Sequence, residues 1–289
     1  RVLVYYASSL RGRLCGDATR TPEVRQAAAG DGGGAAAGTS VARVRVEQSP
    51  LGQELLVDET FASLYRPGEV MTCCVWDALA VPMLALPEDR RGQVLVLGLG
   101  GGSAARILRA LAPRAHIVGV ELDADVVAAA QEHFGLDGLD VELVVGDAQA
   151  FLREDERQFD MIIDDVFVGC GDSVSKPDWY PSPGHELAAA RLRDGGVLVF
   201  NSIGETEARC MQRSLGLMFP GLLRIEVEEY ENHIFVAGPK DLDAQELESS
   251  VRANTLTRES LSVLRFSDAK LPWPRAGAES RTGQQTDGA

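Results

Sequence analysis

The sequence predicts an α/β protein built on a doubly wound, seven-stranded sheet with a terminal antiparallel hairpin, preceded by a small N-terminal β element. Three observations predict it. The run Val94-Leu-Val-Leu97 is apolar on both faces and passes straight into Gly98-Leu-Gly-Gly-Gly102, as a buried strand does when it turns into a helix near Ser103. From Val94 onward strand-like runs alternate with helical periods, which implies parallel strands wrapped by helices. The last two strand-like runs are separated by only Glu231-Asn232, too few residues for a crossover helix, so one of them runs antiparallel.

In chain order, Val2-Leu-Val-Tyr-Tyr6 opens as a strand, and the start at Arg1 reads as a portion of a longer protein. Residues 11–40 include Ala27-Ala-Ala-Gly-Asp-Gly-Gly-Gly34, too poor in large apolar groups to pack, and are expected to be disordered. Val41-Ala-Arg-Val-Arg-Val46 alternates at strand period, and Glu54-Leu-Leu-Val-Asp58 is its expected hairpin partner. Cys74 to Leu86 reads as a buried helix ending at Pro87. Strands follow near 94–97, 116–121, 141–145, 160–164, 196–201, 222–229 and 232–237. Helices fall near 103–112, 124–134, 147–153, 184–193 and 205–218. A further helix is expected after Asp241, and a polar tail from Pro272.

Composition narrows the function classes. A chain of 289 residues with 45% apolar content can build a large core, and no apolar run approaches the ~20 residues of a membrane span. No signal peptide is evident, so a cytoplasmic setting is expected. A net charge of -15 disfavours attraction to nucleic acid and favours cationic partners such as amines or basic protein segments. Five cysteines with no Cys-x-x-Cys pair, and histidines scattered one per element, argue against a disulfide framework and against a metal site.

The chemistry sits at strand ends. Gly98, Gly100, Gly101 and Gly102 allow backbone N–H groups to approach a bound nucleotide, but this turn only approximates the dinucleotide fingerprint. Glu121, followed by Leu122, ends the next strand, where a carboxylate can accept from both ribose hydroxyls of either NAD or S-adenosylmethionine. One strand later Asp147 can accept from an adenine amino group while the Ala148 N–H donates to the ring; Asp147 suits a helix N-cap equally well. Asp164 and Asp165 close the strand Phe159-Asp-Met-Ile-Ile163, where one of them should face the reacting centre. A carboxylate there can hold an amine, take its proton and oppose a sulfonium charge.

Gly98-Leu-Gly-Gly-Gly, Gly119-Val-Glu-Leu-Asp, Gly146-Asp-Ala and Ile162-Ile-Asp-Asp165 together resemble the spermidine synthase superfamily, a branch of the Rossmann-like class I S-adenosylmethionine-dependent methyltransferase folds. The resemblance spans about Val41 to Ala237 and implies a cofactor of S-adenosylmethionine or its decarboxylated form. The site it implies comprises Gly98, Gly100, Gly101, Gly102, Glu121, Leu122, Asp147, Ala148 and Asp165 for the cofactor, with Asp165 and Asp164 catalytic. The polyamine-specific positions differ. Asp165-Val-Phe-Val168 stands where those synthases carry Asp-Ser-Ser-Asp, Val75-Trp76-Asp77 where they carry Tyr-His-Glu, and Ala62 where they carry glutamine. Val57-Asp-Glu-Thr-Phe-Ala-Ser63, Phe200-Asn-Ser202 and Asn232-His-Ile-Phe235 resemble instead the C-terminal domain of the eukaryotic dual methyltransferase acting on elongation factor one alpha.

The expected organisation is a β element over 1–70, a cofactor-binding Rossmann-like domain over 71–240, a helical extension over 241–271 and a disordered tail over 272–289. The expected activity is methyl transfer to an amine on a small molecule or a protein. Alternatives are aminopropyl transfer to an unusual acceptor, or a catalytically silent nucleoside-binding interaction domain. An NAD-dependent oxidoreductase fits least. A homodimer is left open, and neither nucleic acid nor a membrane is an expected partner.

Overall fold

The computed structural model describes residues 43–269 except 172. The expected strand at Val2–Tyr6, the low-complexity stretch near 11–40 and the tail from 272 lie outside the described residues.

The chain first forms a three-stranded antiparallel sheet of β1 (Val44–Ser49), β2 (Gly52–Val57) and β3 (Thr60–Tyr65). The hairpin legible in the sequence is β1–β2, with Val44 opposite Val57. β3 is an addition: Thr-Phe-Ala-Ser-Leu-Tyr mixes a polar residue into each face, which hides its strand period. It returns through Asp58 and Glu59, both at positive φ (47° and 65°), the geometry whose twist suits a two-residue hairpin turn.

Helix α1 (Val75–Ala80) passes into a 3-10 segment over Val81–Ala85, so the expected helix from Cys74 to Leu86 is α-helical only in its first part. Pro82 lacks the N–H that an α-helix needs there. The alternating part follows as β4 (Gln93–Leu97), α2 (Ser103–Leu111), β5 (His116–Glu121), α3 (Ala124–His133), β6 (Val141–Val145), α4 (Ala148–Glu154) and β7 (Phe159–Asp164). It continues through α5 (Gly184–Ala190), β8 (Leu192–Ile203), α6 (Glu205–Met218), β9 (Gly221–Val227), β10 (Asn232–Gly238), α7 (Ala244–Ala253) and β11 (Leu264–Asp268).

The strand order is β11-β9-β10-β8-β7-β4-β5-β6, so the sheet gains one strand over the seven expected. The hairpin is where the sequence places it: β10 lies antiparallel to both β8 and β9. The eighth strand, β11, comes from the C-terminal extension and pairs antiparallel with β9, Leu264 opposite Val227. An open edge of unpaired backbone groups on β9 draws in an alternating segment that would be too short to read as a strand alone.

Strands β4 and β7 are buried on both faces, which is why they read as unbroken apolar runs. The chain lays β5 and β6 on one side of β4 and then returns to place β7 on the other. This reversal is a topological switch point, and it opens a crevice beyond the carboxyl ends of β4 and β7.

Candidate active site

A cavity of about 460 Å³ occupies that crevice. Its walls come from the ends of β4, β5, β7 and β8, the β2–β3 turn, the start of α1, and the segment 166–179 after β7. At its floor Asp165 N donates to Leu97 O at 2.9 Å, and a Cβ on Gly98 (φ +78°) would stand 2.6 Å from Asp165 O. Only glycine lets β4 turn so close to the β7 end.

The remaining turn glycines divide. Gly98 and Gly100 line the cavity, whereas a Cβ on Gly101 would meet Ser63 Cβ at 2.8 Å and one on Gly102 would meet Leu136 Cδ1 at 2.9 Å. Gly101 N donates to Ser63 Oγ at 2.7 Å. The small sheet thus packs on the glycine turn at Gly101 through Ser63 of β3, and Leu136 and Leu139 pack on it at Gly102, roles that the sequence does not separate from ligand binding.

Glu121, half-buried at the β5 end, accepts from Gly100 N at 2.9 Å and from Asp123 N at 3.2 Å. Asp147 is at once N-cap and cavity residue: one oxygen accepts from Ala150 N at 2.8 Å, leaving the other for a ligand. Leu122 projects 63% exposed at the rim, and Val126 and Ala148 add apolar wall beside it. Acceptor-only carboxylates around an apolar slot fit the hydroxyls and amino group of a nucleoside.

The charge balance decides between nucleosides. The described lining carries Asp58, Glu121, Asp123, Asp147 and Asp165 against the single cation Arg43, which is ion-paired with Asp58 at 3.1 Å and Asp123 at 3.2 Å. Such a cavity opposes the pyrophosphate of a dinucleotide and suits a cationic sulfonium. With the antiparallel β10 beside β8, this sets aside the nicotinamide reading. The chain has a class I, spermidine-synthase-like methyltransferase fold.

Comparison with known proteins agrees. Residues 94–176 match the methyltransferase domain family. A polyamine aminopropyltransferase of Ruegeria sp. is 34% identical over 127 residues, covering 41% of this chain and 42% of that protein. The eEF1A lysine and N-terminal methyltransferase of Danio rerio is 25% identical over 221 residues, covering 66% of this chain and 32% of that protein. The matched stretch therefore spans less than half of either curated relative. Among solved structures, a probable spermidine synthase from Corynebacterium glutamicum superposes with a TM-score of 0.59 at 17% identity, covering 78% of this chain and 87% of that one.

In this methyltransferase-like fold the two adjacent aspartates part company. Asp164 is fully buried, does not line the cavity, and accepts from Lys176 Nζ at 2.7 Å. Burial pushes its carboxyl above the usual range, against the pull of the lysine. Asp165 faces the cavity and accepts from Asn201 Nδ2 at 2.7 Å. Burial pushes it up to about 7, opposed by the Asn201 hydrogen bond and the Lys176 charge. Neighbouring residues at a strand end point to opposite sides, so only one of the pair can serve the cavity.

The other half of the cavity is largely apolar. Phe61 meets Trp76 edge to face with ring centroids 5.1 Å apart, and Val75, Val166, Phe167, Val168, Trp179 and Ile203 extend this wall. Residues 166–171 and 173–176 fold over it as a small flap: Val168 and Ser175 exchange backbone hydrogen bonds, and Gly171 N donates to Asp58 O at 3.0 Å. Lys176 pins its far end. Its ammonium sits among Phe200 (4.2 Å), Phe167 (4.4 Å) and Tyr180 (5.3 Å), and its backbone N donates to Glu207 Oε2 at 2.9 Å. Asn201 lies in the Phe200-Asn-Ser202 segment that carries the resemblance, but nothing in the sequence marks it as a partner of Asp165, and Lys176 stands in no such segment; a lone lysine in an apolar, aromatic context is the nearest cue. Among the described residues no group of histidine, cysteine or acidic side chains could hold a metal.

Proposed function

We propose that this protein is an S-adenosylmethionine-dependent methyltransferase acting on an amine that presents one cationic group to the site. The observation that carries the reading is the lone carboxylate of the acceptor half. Asp165 faces an apolar and aromatic wall there, while the other acidic residue of that half, Asp58, is ion-paired with Arg43. S-adenosylmethionine supplies an electrophilic methyl group whose former bonding pair stays with the sulfur. Gly98 and Gly100 leave room for the methionine portion, Glu121 accepts from the ribose, and Asp147 with Ala148 and Leu122 holds the adenine. Asp165 would hold the bound ammonium, take its proton to free the nitrogen lone pair, and keep the neutral amine aligned for attack. Alignment at near-contact distance supplies much of the acceleration. The flap and the aromatic wall exclude water from the amine.

A diamine would need a second carboxylate, and Val168 stands at the corresponding position, 46% exposed. The likeness to polyamine aminopropyltransferases keeps aminopropyl transfer as the second reading. Assaying transfer from intact and from decarboxylated S-adenosylmethionine separates the two, with turnover expected from the intact form. Asp165→Asn is expected to lower kcat by about 10²–10⁴-fold, the contribution of a positioned acid–base group. Unchanged turnover in that variant removes Asp165 from the mechanism.

A further inference from the structure

The geometry points to Asn232 and Asn201 as a two-step positioning relay that fixes which oxygen of Asp165 meets the acceptor amine. The chain of contacts is continuous. Asn232 Nδ2 donates to Asn201 Oδ1 at 3.0 Å, and Asn201 Nδ2 donates to Asp165 Oδ1 at 2.7 Å. All three residues line the cavity. Asn201 is only 2% exposed on β8, so its amide has no bulk water to turn toward. Asn232 is the first residue of β10 and pairs with Ile203 in the antiparallel register. The terminal hairpin therefore has a function in the site: it delivers the one donor that sets the orientation of Asn201.

An amide can present either its oxygen or its nitrogen. Because Asn232 occupies the oxygen of Asn201, the nitrogen is the end left for Asp165. Asp165 Oδ1 is then committed, and Oδ2 is the oxygen free for a substrate amine. A hydrogen bond to the charged form of a carboxyl favours that form, and here it works against burial. The charged groups that act on Asp165 from its surroundings are Lys176, Asp164 and Glu121, and the relay adds to the lysine's effect.

This inference rests on the assignment of Asp165 to the acceptor amine, and the test keeps the two apart. In the cofactor-free full chain, the Asp165 carboxyl is titrated by NMR in the parent, Asn201→Ala, Asn232→Ala and Asn232→Asp proteins. Asn201→Ala is expected to raise the Asp165 midpoint by about one pH unit, the loss of one charge-assisted hydrogen bond. Asn232→Asp, unable to donate, turns the Asn201 amide around and raises the midpoint further than Asn232→Ala does. In an Asn201→Ala background that extra shift disappears. Should it persist there, the added charge acts through space and the relay is overturned; an unmoved midpoint in Asn201→Ala overturns it too. If Asn201→Ala does not fold, the Asn232 pair at the half-buried hairpin edge carries the same comparison. Turnover is then read across pH: the acid limb should follow the NMR midpoint. A midpoint that moves without the limb upholds the relay and refutes the catalytic role of Asp165.

Discussion

Lys176→Met removes an ammonium from the centre of the molecule while keeping most of the volume of its stem, and the structure sets the cost. Asp164 and Lys176 have side-chain exposures of 0% and 1%, with Oδ1 and Nζ 2.7 Å apart. Asp164 Oδ2 has no hydrogen-bond partner, so the lysine is the principal compensation for this carboxylate. Val166 N, at 3.4 Å from Oδ1, is a weak second. Taking one partner from a buried pair costs about 3–5 kcal/mol, because it leaves an uncompensated buried charge. That is a large share of the roughly 5–15 kcal/mol that holds a domain folded.

Replacing both partners should be far milder, since an uncharged pair of similar shape is often neutral or stabilising. Lys176→Met with Asp164→Leu is therefore expected to recover most of the loss. Urea denaturation at pH 6 and pH 9, read as a midpoint shift at constant slope, measures each term. The sign with pH is fixed. A carboxyl raised in the folded state binds more protons folded than unfolded, so stability falls as pH rises through the interval between its two values. Lys176 works against that rise, so its removal lifts Asp164 further and makes the loss of stability with rising pH larger than in the parent. A Lys176→Met protein within 1 kcal/mol of the parent, or a double variant no more stable than the single, would refute this account of the pair.

Three further outcomes follow from the same geometry. Gly98→Ala, whose Cβ would sit 2.6 Å from Asp165 O at a φ of +78°, should cost about 2 kcal/mol or more in urea and abolish cofactor binding in calorimetry, whereas Gly138→Ala, with nothing within 4 Å, should be near neutral. Val168→Asp restores a second carboxylate at an exposed rim and should tighten competitive inhibition by putrescine about 2–5-fold, the range of an exposed ion pair, with no change expected for a monoamine. Asp165→Asn should stabilise the fold at pH 8 but not at pH 4: burial holds the acid at about 7, so its ionisation opposes folding as pH rises above the ordinary carboxyl value. The full shift corresponds to about 4 kcal/mol, and partial exposure to the cavity reduces the expected gain to about 1–2 kcal/mol. A gain equal at both pH values would contradict this origin.

The parts of the site legible in sequence are those whose function is tied to a place on one local element. The glycine turn, Glu121, Asp147 and the Asp164-Asp165 pair all sit at strand ends, and a strand end can be found from the apolar run before it. The hairpin at Asn232 was legible for the same reason, because connection length alone forbids a crossover. β3 and β11 were not, since a six-residue strand of mixed polarity and a five-residue edge strand depend on the neighbour they pair with.

The sequence by itself determined a doubly wound α/β sheet with an antiparallel hairpin and an acidic row at the carboxyl ends of β5, β6 and β7, because strand period and connection length are local properties of the chain. Tertiary structure alone decided which aspartate faces the cavity, since Asp164 and Asp165 are chemically identical until one meets Lys176, twelve residues away, and the other Asn201, thirty-six away. It also decided that Phe61 and Trp76 form one wall, that Gly101 and Gly102 serve packing against Ser63 and Leu136, and that β10 brings Asn232 to the cavity. These are contacts between separate elements, and their energies come from burial and hydrogen-bond geometry that exist only once the sheet has closed.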